Sequence, residues 1–128
     1  MFPPMKIVVT GGAGFIGSML VPRLLDAGHH VHVIDNLMFG GQALLPLFIN
    51  PRFSFSEVDV TDRKALAPAL ANADAVIHLA ALVGYPLCKK MPVRARVVNV
   101  DGARNIIDLA PPGARLIYAS TGSNYGEV

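Results

Sequence analysis

Apolar residues along this chain fall into short runs and helical stripes that alternate from one end to the other. The first run, Lys6–Thr10, is Lys-Ile-Val-Val-Thr and too short for anything but a strand. Residues 14–27 follow with Ile16, Met19, Leu20, Leu24 and Leu25 at helical spacing, and Gly28 stands where such a helix stops. A second strand is predicted over 30–34 and ends at Asp35. Gly40-Gly41 opens a short segment, about one helical turn, that Pro46 and Pro51 limit. A third strand is predicted over 53–58. Thr61 is the expected N-cap of a helix over 62–70. A fourth strand over 75–79 leads into a loop with Pro86 and Pro92. A long helix over 93–110 and a fifth strand over 115–119 complete the pattern. Met91, Val93, Val97, Val98 and Val100 are read as core positions of that helix.

Five apolar strands separated by helices predict an α/β fold: a doubly wound parallel sheet covered on both faces. Right-handed crossovers give the strand order 3-2-1-4-5, with a ligand crevice at the carboxyl ends of strands one and four. The chain of 128 residues is long enough for one domain with a core, and 52% of it is apolar. A net charge of +2 makes no case for nucleic acid. The single cysteine, Cys88, allows no internal disulfide and fits a reducing compartment. Lys89 and Lys90 adjoin it, but a bystander thiol is the expected role. The opening Met-Phe-Pro-Pro-Met has no secretory character, and no stretch is long enough to span a bilayer, so a cytoplasmic location is expected.

The chemistry starts at the end of the first strand. Gly11, Gly14 and Gly17 stand three apart between a strand and a helix. A helix N-terminus has N–H groups without partners and partial positive charge, and glycines let the backbone approach a pyrophosphate there. Asp35 ends the second strand 18 residues after Gly17, where a carboxylate accepts from ribose hydroxyls and repels a 2′-phosphate. No Lys or Arg lies between Asp35 and Arg52, which favours NAD over NADP. The plainer alternative is that Asp35 only caps a turn with Asn36. Asp59-Val60 ends the third strand, where it addresses an adenine edge or simply forms an Asp turn before a helix. His29, His30 and His32 have no Cys or carboxylate spacing to join them, so no metal site is expected. His78 is read as packing or a local hydrogen bond rather than as a base.

Thr10-Gly11-Gly12-Ala13-Gly14-Phe15-Ile16-Gly17, Asp35-Asn36-Leu37, Asp59-Val60, His78-Leu79-Ala80-Ala81, Asn99 and Ser120-Thr121-Gly122-Ser123-Asn124-Tyr125-Gly126 occur in that order. The chain thereby resembles the extended short-chain dehydrogenase/reductases and, within them, the NAD-dependent nucleotide-sugar epimerase/dehydratase group. The resemblance covers essentially the whole chain. It implies a Rossmann domain over 1–128 in which Gly11, Gly14, Phe15, Ile16 and Gly17 hold the pyrophosphate, Asp35 and Asn36 the ribose, and Asp59 and Val60 the adenine. It also implies that Leu79, Ala80 and Ala81 line the cofactor near its nicotinamide half, with Asn99 supporting their loop. Thr121 matches the family's catalytic Ser/Thr, with Ser120 and Ser123 flanking the substrate.

In that family a Tyr with a Lys four residues on is the base, about one helix after the Ser/Thr segment. The expectation is therefore that the chain is truncated after strand five, lacks the catalytic helix and the substrate domain, and is inactive alone. Tyr85 and Lys89 have the spacing, but Pro86 lies between them and the match is read as coincidental. Val83 replaces a basic residue often found there in galactose epimerases. The implied activity is epimerisation or 4,6-dehydration of a UDP- or dTDP-sugar by transient oxidation, in a homo-oligomer. A reductase of a non-sugar ketone, using NAD(P), and a dinucleotide-binding module without catalysis stand as alternatives. The open edge of strand five predicts that the chain self-associates or is marginally stable.

Overall fold

The computed structural model describes residues 2–126. Five parallel strands, β1 (Lys6–Thr10), β2 (His30–Asp35), β3 (Phe53–Glu57), β4 (Ala75–His78) and β5 (Arg115–Tyr118), form one sheet in the order β3-β2-β1-β4-β5. The register sets Val9 beside Val33 and Ile77, and Thr10 beside Ile34 and His78. β2 runs one residue past its predicted end, and β3, β4 and β5 stop one short of theirs.

The sheet is buried on both faces, so its central strands are apolar without alternation. Val8, Ile34 and Val76 face a cluster built with Leu66, Leu70, Val98 and Ile106. Ile7, Val9, Val31, Val33 and Ile77 face the opposite cluster, built with Val21, Leu25 and Leu44. Helix α1 (Phe15–Asp26) covers the second face. It starts from Gly14, and Gly28 ends it at φ +93° with its N–H on the Leu25 carbonyl. Helix α2 (Arg63–Leu70) covers the first face.

Three elements depart from the sequence reading. The segment after Gly41 is a 3₁₀ helix, Gln42–Ile49, longer than one turn and continuous through Pro46; its Leu44 is buried against the sheet. Asp62, not Thr61, caps α2, its carboxylate accepting from the Ala65 N–H at 3.1 Å. Thr61 instead turns back to Asp59, to which its N–H and its hydroxyl both donate. The loop expected before residue 93 holds a helix, α3 (Tyr85–Lys90), and the single helix expected over 93–110 is a chain of pieces: α4 (Pro92–Arg96), a π turn (Val97–Asp101) and α5 (Gly102–Leu109). Pro86 and Pro92 sit in the first turns of α3 and α4, where a missing N–H costs nothing. They start these helices rather than marking a loop.

β5 lies at the sheet edge with all four residues exposed. Leu116, Ile117 and Tyr118 are among its exposed apolar side chains. Among the described residues no helix is long and apolar enough to cross a membrane.

Candidate functional site

A cleft of about 450 Å³ opens at the carboxyl ends of the strands. The glycine loop forms its floor, and each glycine answers a different constraint. Gly11 has φ +68°, and a Cβ there would lie 2.7 Å from the Ala80 nitrogen, so the loop packs directly on the strand-four loop. A Cβ on Gly17 would lie 2.3 Å from the Gly12 carbonyl oxygen, so α1 can approach the loop only with glycine there. A Cβ on Gly14 would meet only the Gly11 carbonyl oxygen, at 3.2 Å, so the exposed Gly14 leaves open the space over the helix N-terminus. The N–H groups of Phe15, Ile16 and Gly17 belong to the first turn of α1 and have no partner within the helix. They form an anion cradle at the mouth of the cleft.

Beneath the loop is a buried network. Thr10 is wholly buried, and its Oγ1 accepts from the N–H groups of Leu79 and Ala80, each at 3.2 Å. The same oxygen lies 2.6 Å from His78 Nδ1. A hydroxyl has one proton and two lone pairs. With both lone pairs occupied, the Thr10 proton goes to Nδ1, which must be the bare ring nitrogen. His78 is thus a neutral imidazole carrying its proton on Nε2, and burial lowers its pKa in agreement. Its ring stacks on Tyr118 at a centroid distance of 5.9 Å. The histidine fastens strand ends together and does not face the cleft.

On the β2 and β3 side the wall carries two carboxylates in different states. Asp35 accepts one backbone N–H on each oxygen, from Ala13 at 3.0 Å and from Leu37 at 2.8 Å. It therefore caps a turn and lines the cleft at once, and each oxygen keeps a lone pair for a ligand. Asp59 accepts four bonds. Thr61 supplies its N–H at 2.9 Å and its hydroxyl at 2.7 Å to Oδ1; the Asn36 amide (3.1 Å) and the Arg94 guanidinium share Oδ2. Burial pushes the Asp59 pKa up, but the bonds from Thr61, Asn36 and Arg94 outweigh it and bring the value down to about 2.

Every residue expected at the cofactor except Asn99 lines the cleft. Asn99 stands behind it, its amide oxygen accepting the Leu82 N–H at 2.8 Å and its amide nitrogen donating to the Leu82 carbonyl at 2.9 Å. Asn105, on α5, does the same service for the other wall by donating to the Val60 carbonyl at 2.9 Å. Ser120, Thr121 and Ser123 lie past the end of β5, are exposed and do not line the cleft. Thr121 Oγ1 accepts from the Ser123 N–H at 3.2 Å, and Ser120 Oγ accepts from the Asn124 amide at 3.0 Å. Tyr85 is exposed, and Lys89 Nζ sits 5.7 Å from its ring centroid, a contact within one helix. The Cys88 thiol donates to the Leu82 carbonyl. His32 bonds Ser54 and Ser56.

Sequence reasoning missed Arg94. The absence of Lys and Arg between Asp35 and Arg52 concerns only the stretch next to Asp35, whereas Arg94 reaches the cleft from α4. A signal was available: in a right-handed crossover the helix between strands four and five starts at the carboxyl edge of the sheet.

The glycine cradle, the free lone pairs of Asp35 and the apolar walls fit an adenine dinucleotide, and they define a dinucleotide-binding domain of Rossmann type. The sequence pattern of the NAD dependent epimerase/dehydratase family matches residues 7–128. The chain belongs to that family, and NAD is the family's cofactor. It is 42% identical to UDP-glucuronic acid decarboxylase 1 of Arabidopsis thaliana over 125 residues, which is 96% of this chain and 28% of the relative. It superposes on the UDP-N-acetylglucosamine 4-epimerase of Methanobrevibacter ruminantium, solved with UDP-N-acetylmuramic acid, with a TM-score of 0.87 and 32% identity. That match covers 99% of this chain and 41% of the other. For the Thermus thermophilus UDP-glucose 4-epimerase in complex with NAD, the TM-score is 0.73 and the identity 34%, covering 82% of this chain and 33% of the other. The chain thus spans well under half the length of these relatives.

Proposed function

We propose that this chain is the cofactor-binding part of an enzyme that acts on a UDP- or dTDP-sugar by transient oxidation, as an epimerase or a 4,6-dehydratase. The observation that carries the reading is the cleft itself. Its glycine cradle and half-free Asp35 suit an unphosphorylated adenosine ribose, and a cluster of hydroxyl side chains follows the neighbouring β5. NAD, when bound, supplies the acceptor for a hydride and the means of returning it. Gly11, Gly14, Phe15, Ile16 and Gly17 would hold its pyrophosphate, Asp35 and Asn36 its ribose, and Leu79, Ala80 and Ala81 the wall toward its nicotinamide.

Thr121 is the proposed catalytic hydroxyl. Its oxygen already accepts the Ser123 N–H, so its own proton remains to be donated to the reacting sugar oxygen. Ser120 and Ser123 flank that position. The base that takes the sugar hydroxyl proton, and the pocket for the nucleotide, belong on this reading to the region of the relatives that the chain does not span.

The 42% identity to a UDP-glucuronic acid decarboxylase favours a second reading. Oxidation at the sugar's 4-position is then the same first step. In a hexuronic acid it produces a β-keto acid, whose carboxylate leaves as carbon dioxide. One screen tests both: incubate the product of the complete reading frame with UDP-glucose, UDP-N-acetylglucosamine, dTDP-glucose and UDP-glucuronic acid, and follow products by NMR. An epimer or a 4-keto-6-deoxy sugar supports the first reading, and a UDP-pentose with released carbon dioxide the second. No change in any of the four would refute both.

A further inference from the structure

The sheet face toward α2 is apolar at its centre, where Val8 and Ile34 lie, and polar near its β3 edge. β3 alternates: Phe53 and Phe55 pack into the α1-side core, and Ser54 and Ser56 turn the other way. His32 of β2 stands among these serines, in register with Ser54. Its Nδ1 lies 2.6 Å from Ser54 Oγ, and its Nε2 lies 2.9 Å from Ser56 Oγ. Over them α2 presents Ala65, Pro68 and Ala69, side chains too short to fill the space, and a pocket of about 250 Å³ remains. Lys6 of β1 completes its lining. The Lys6 ammonium donates to the Ala71 carbonyl at 2.6 Å and keeps its other two hydrogens. A second hollow, of about 220 Å³, shares Lys6, His32 and Ser54 and adds His30 and Arg52. Among the described residues no carboxylate lines either hollow. Asp74 accepts the Lys6 backbone N–H at 2.8 Å, but from the β4 side of β1, and Glu57 alternates to the face opposite Ser56. The charged residues of α2, Arg63 and Lys64, do not line the pocket.

We propose that this pocket binds a tetrahedral oxyanion of the phosphate class, held by the Ser54 and Ser56 hydroxyls and the Lys6 ammonium, and that His32 takes up a proton as it binds. The proposal is independent of what occupies the cleft. The proton count carries it. A neutral imidazole donates from one nitrogen and accepts at the other, so one serine gives its hydrogen to the ring and only the other serine has a hydrogen to point outward. A protonated ring donates to both serine oxygens, and both hydroxyl hydrogens then turn outward. The charged ring thus offers two donors beside the ammonium, which is what an oxyanion requires. Burial and, to a lesser extent, the Lys6 charge hold the His32 pKa below its ordinary value. A dianion seated between Lys6 and the hydroxyls cancels the repulsion from Lys6 and favours the proton.

The test uses sulfate, which stays a dianion throughout the range, on the purified chain. The glycine cradle is a second place for an anion, so binding is read residue by residue. Ring-nitrogen and backbone NMR shifts are followed during sulfate titrations at about pH 5.5 and about pH 8, with chloride holding the ionic strength constant. Sulfate should move the signals of His32, Ser54 and Ser56 and carry the His32 titration to higher pH. It should bind about tenfold more tightly at the lower pH, the effect of one added charge-assisted hydrogen bond. His32→Gln keeps one donor and one acceptor for the serines but takes no proton, so its binding should be weak and equal at both pH values. The double variant Ser54→Ala, Ser56→Ala should lose binding at this pocket. Inorganic phosphate and glycerol 3-phosphate separate a free ion from a phosphate ester, and binding of either at these residues supports the site. Shifts confined to the glycine loop, equal wild-type affinity at both pH values, a pH dependence that survives in His32→Gln, or undiminished binding by the double variant would overturn the proposal. Melting without sulfate checks that each variant folds. If His32→Gln does not, the wild-type pH series and the serine variant decide.

Discussion

Replacing Thr10 by Val removes one oxygen from beneath the glycine loop and leaves the shape of the side chain intact. That oxygen is the acceptor for the Ala80 N–H and the proton donor to His78 Nδ1. Leu79 loses one of two acceptors, because its N–H also bonds the Thr10 carbonyl at 3.1 Å. An unsatisfied buried polar group costs about 1–3 kcal/mol. His78 is buried and Ala80 partly so, which places the gross loss at roughly 2–4 kcal/mol. The extra methyl returns up to about 0.8 kcal/mol of burial. A net destabilisation of roughly 1.5–3 kcal/mol corresponds to a melting point lower by about 5–12 °C for a domain of this size. Thr10→Ser keeps every bond and loses a methyl, so it should melt between the two. Circular dichroism melts of the three proteins give the comparison. Nitrogen chemical shifts of His78 check the tautomer directly, because Nδ1 should be unprotonated in the wild type. A Thr10→Val protein that melts with the wild type, or a protonated Nδ1, would refute the network.

Gly17→Ala places a methyl 2.3 Å from the Gly12 carbonyl oxygen, so α1 must move away from the loop; stability should fall by about 1–3 kcal/mol and NAD affinity by roughly tenfold or more, read by melting and calorimetry. Acid should act in two stages. Burial lowers the folded pKa of His78, and burial together with Lys6 lowers that of His32, so the unfolded chain binds protons first and stability declines as pH falls below about 6.5. Asp59 adds a second decline between its ordinary value of 3.8 and its folded value of about 2; melting between about pH 8 and pH 3 should show the first stage and the onset of the second. The open edge of β5, with Leu116, Ile117 and Tyr118 exposed, should make the isolated chain self-associate, and a monodisperse monomer in sedimentation velocity would contradict this.

The sheet was legible because parallel strands buried on both faces leave continuous apolar runs, and Gly28 and the Asp residues at strand ends punctuate them. The glycine cradle and Asp35 were legible for a related reason: both belong to one βαβ unit, and their spacing is local. What escaped was set by contacts between distant segments. Thr61 looks like a cap, but its hydroxyl points back to Asp59 and Asp62 takes the capping position. Arg94 looks like a solvated helix residue until the crossover carries it 35 positions back to Asp59. The helix over 85–90 was hidden by prolines that read as loop signals, although a proline in a first turn is compatible with helix. Asp59 lies on the cleft wall, but a sequence cannot show that its carboxylate already accepts from Thr61, Asn36 and Arg94.

The two asparagines behind the cleft have a consequence for how this region tolerates genetic change. Asn99 holds Leu82 and Asn105 holds Val60, so a single helical segment is pinned to both walls at two points six residues apart. The π turn between α4 and α5 carries the first of the two asparagines, Asn99. Point substitutions on the outer side, such as at the exposed Ile107, leave that phasing alone. A one-codon insertion or deletion between positions 99 and 105 rotates one asparagine by about 100° away from its loop. The exposed positions of the segment should therefore vary in composition while its length stays fixed.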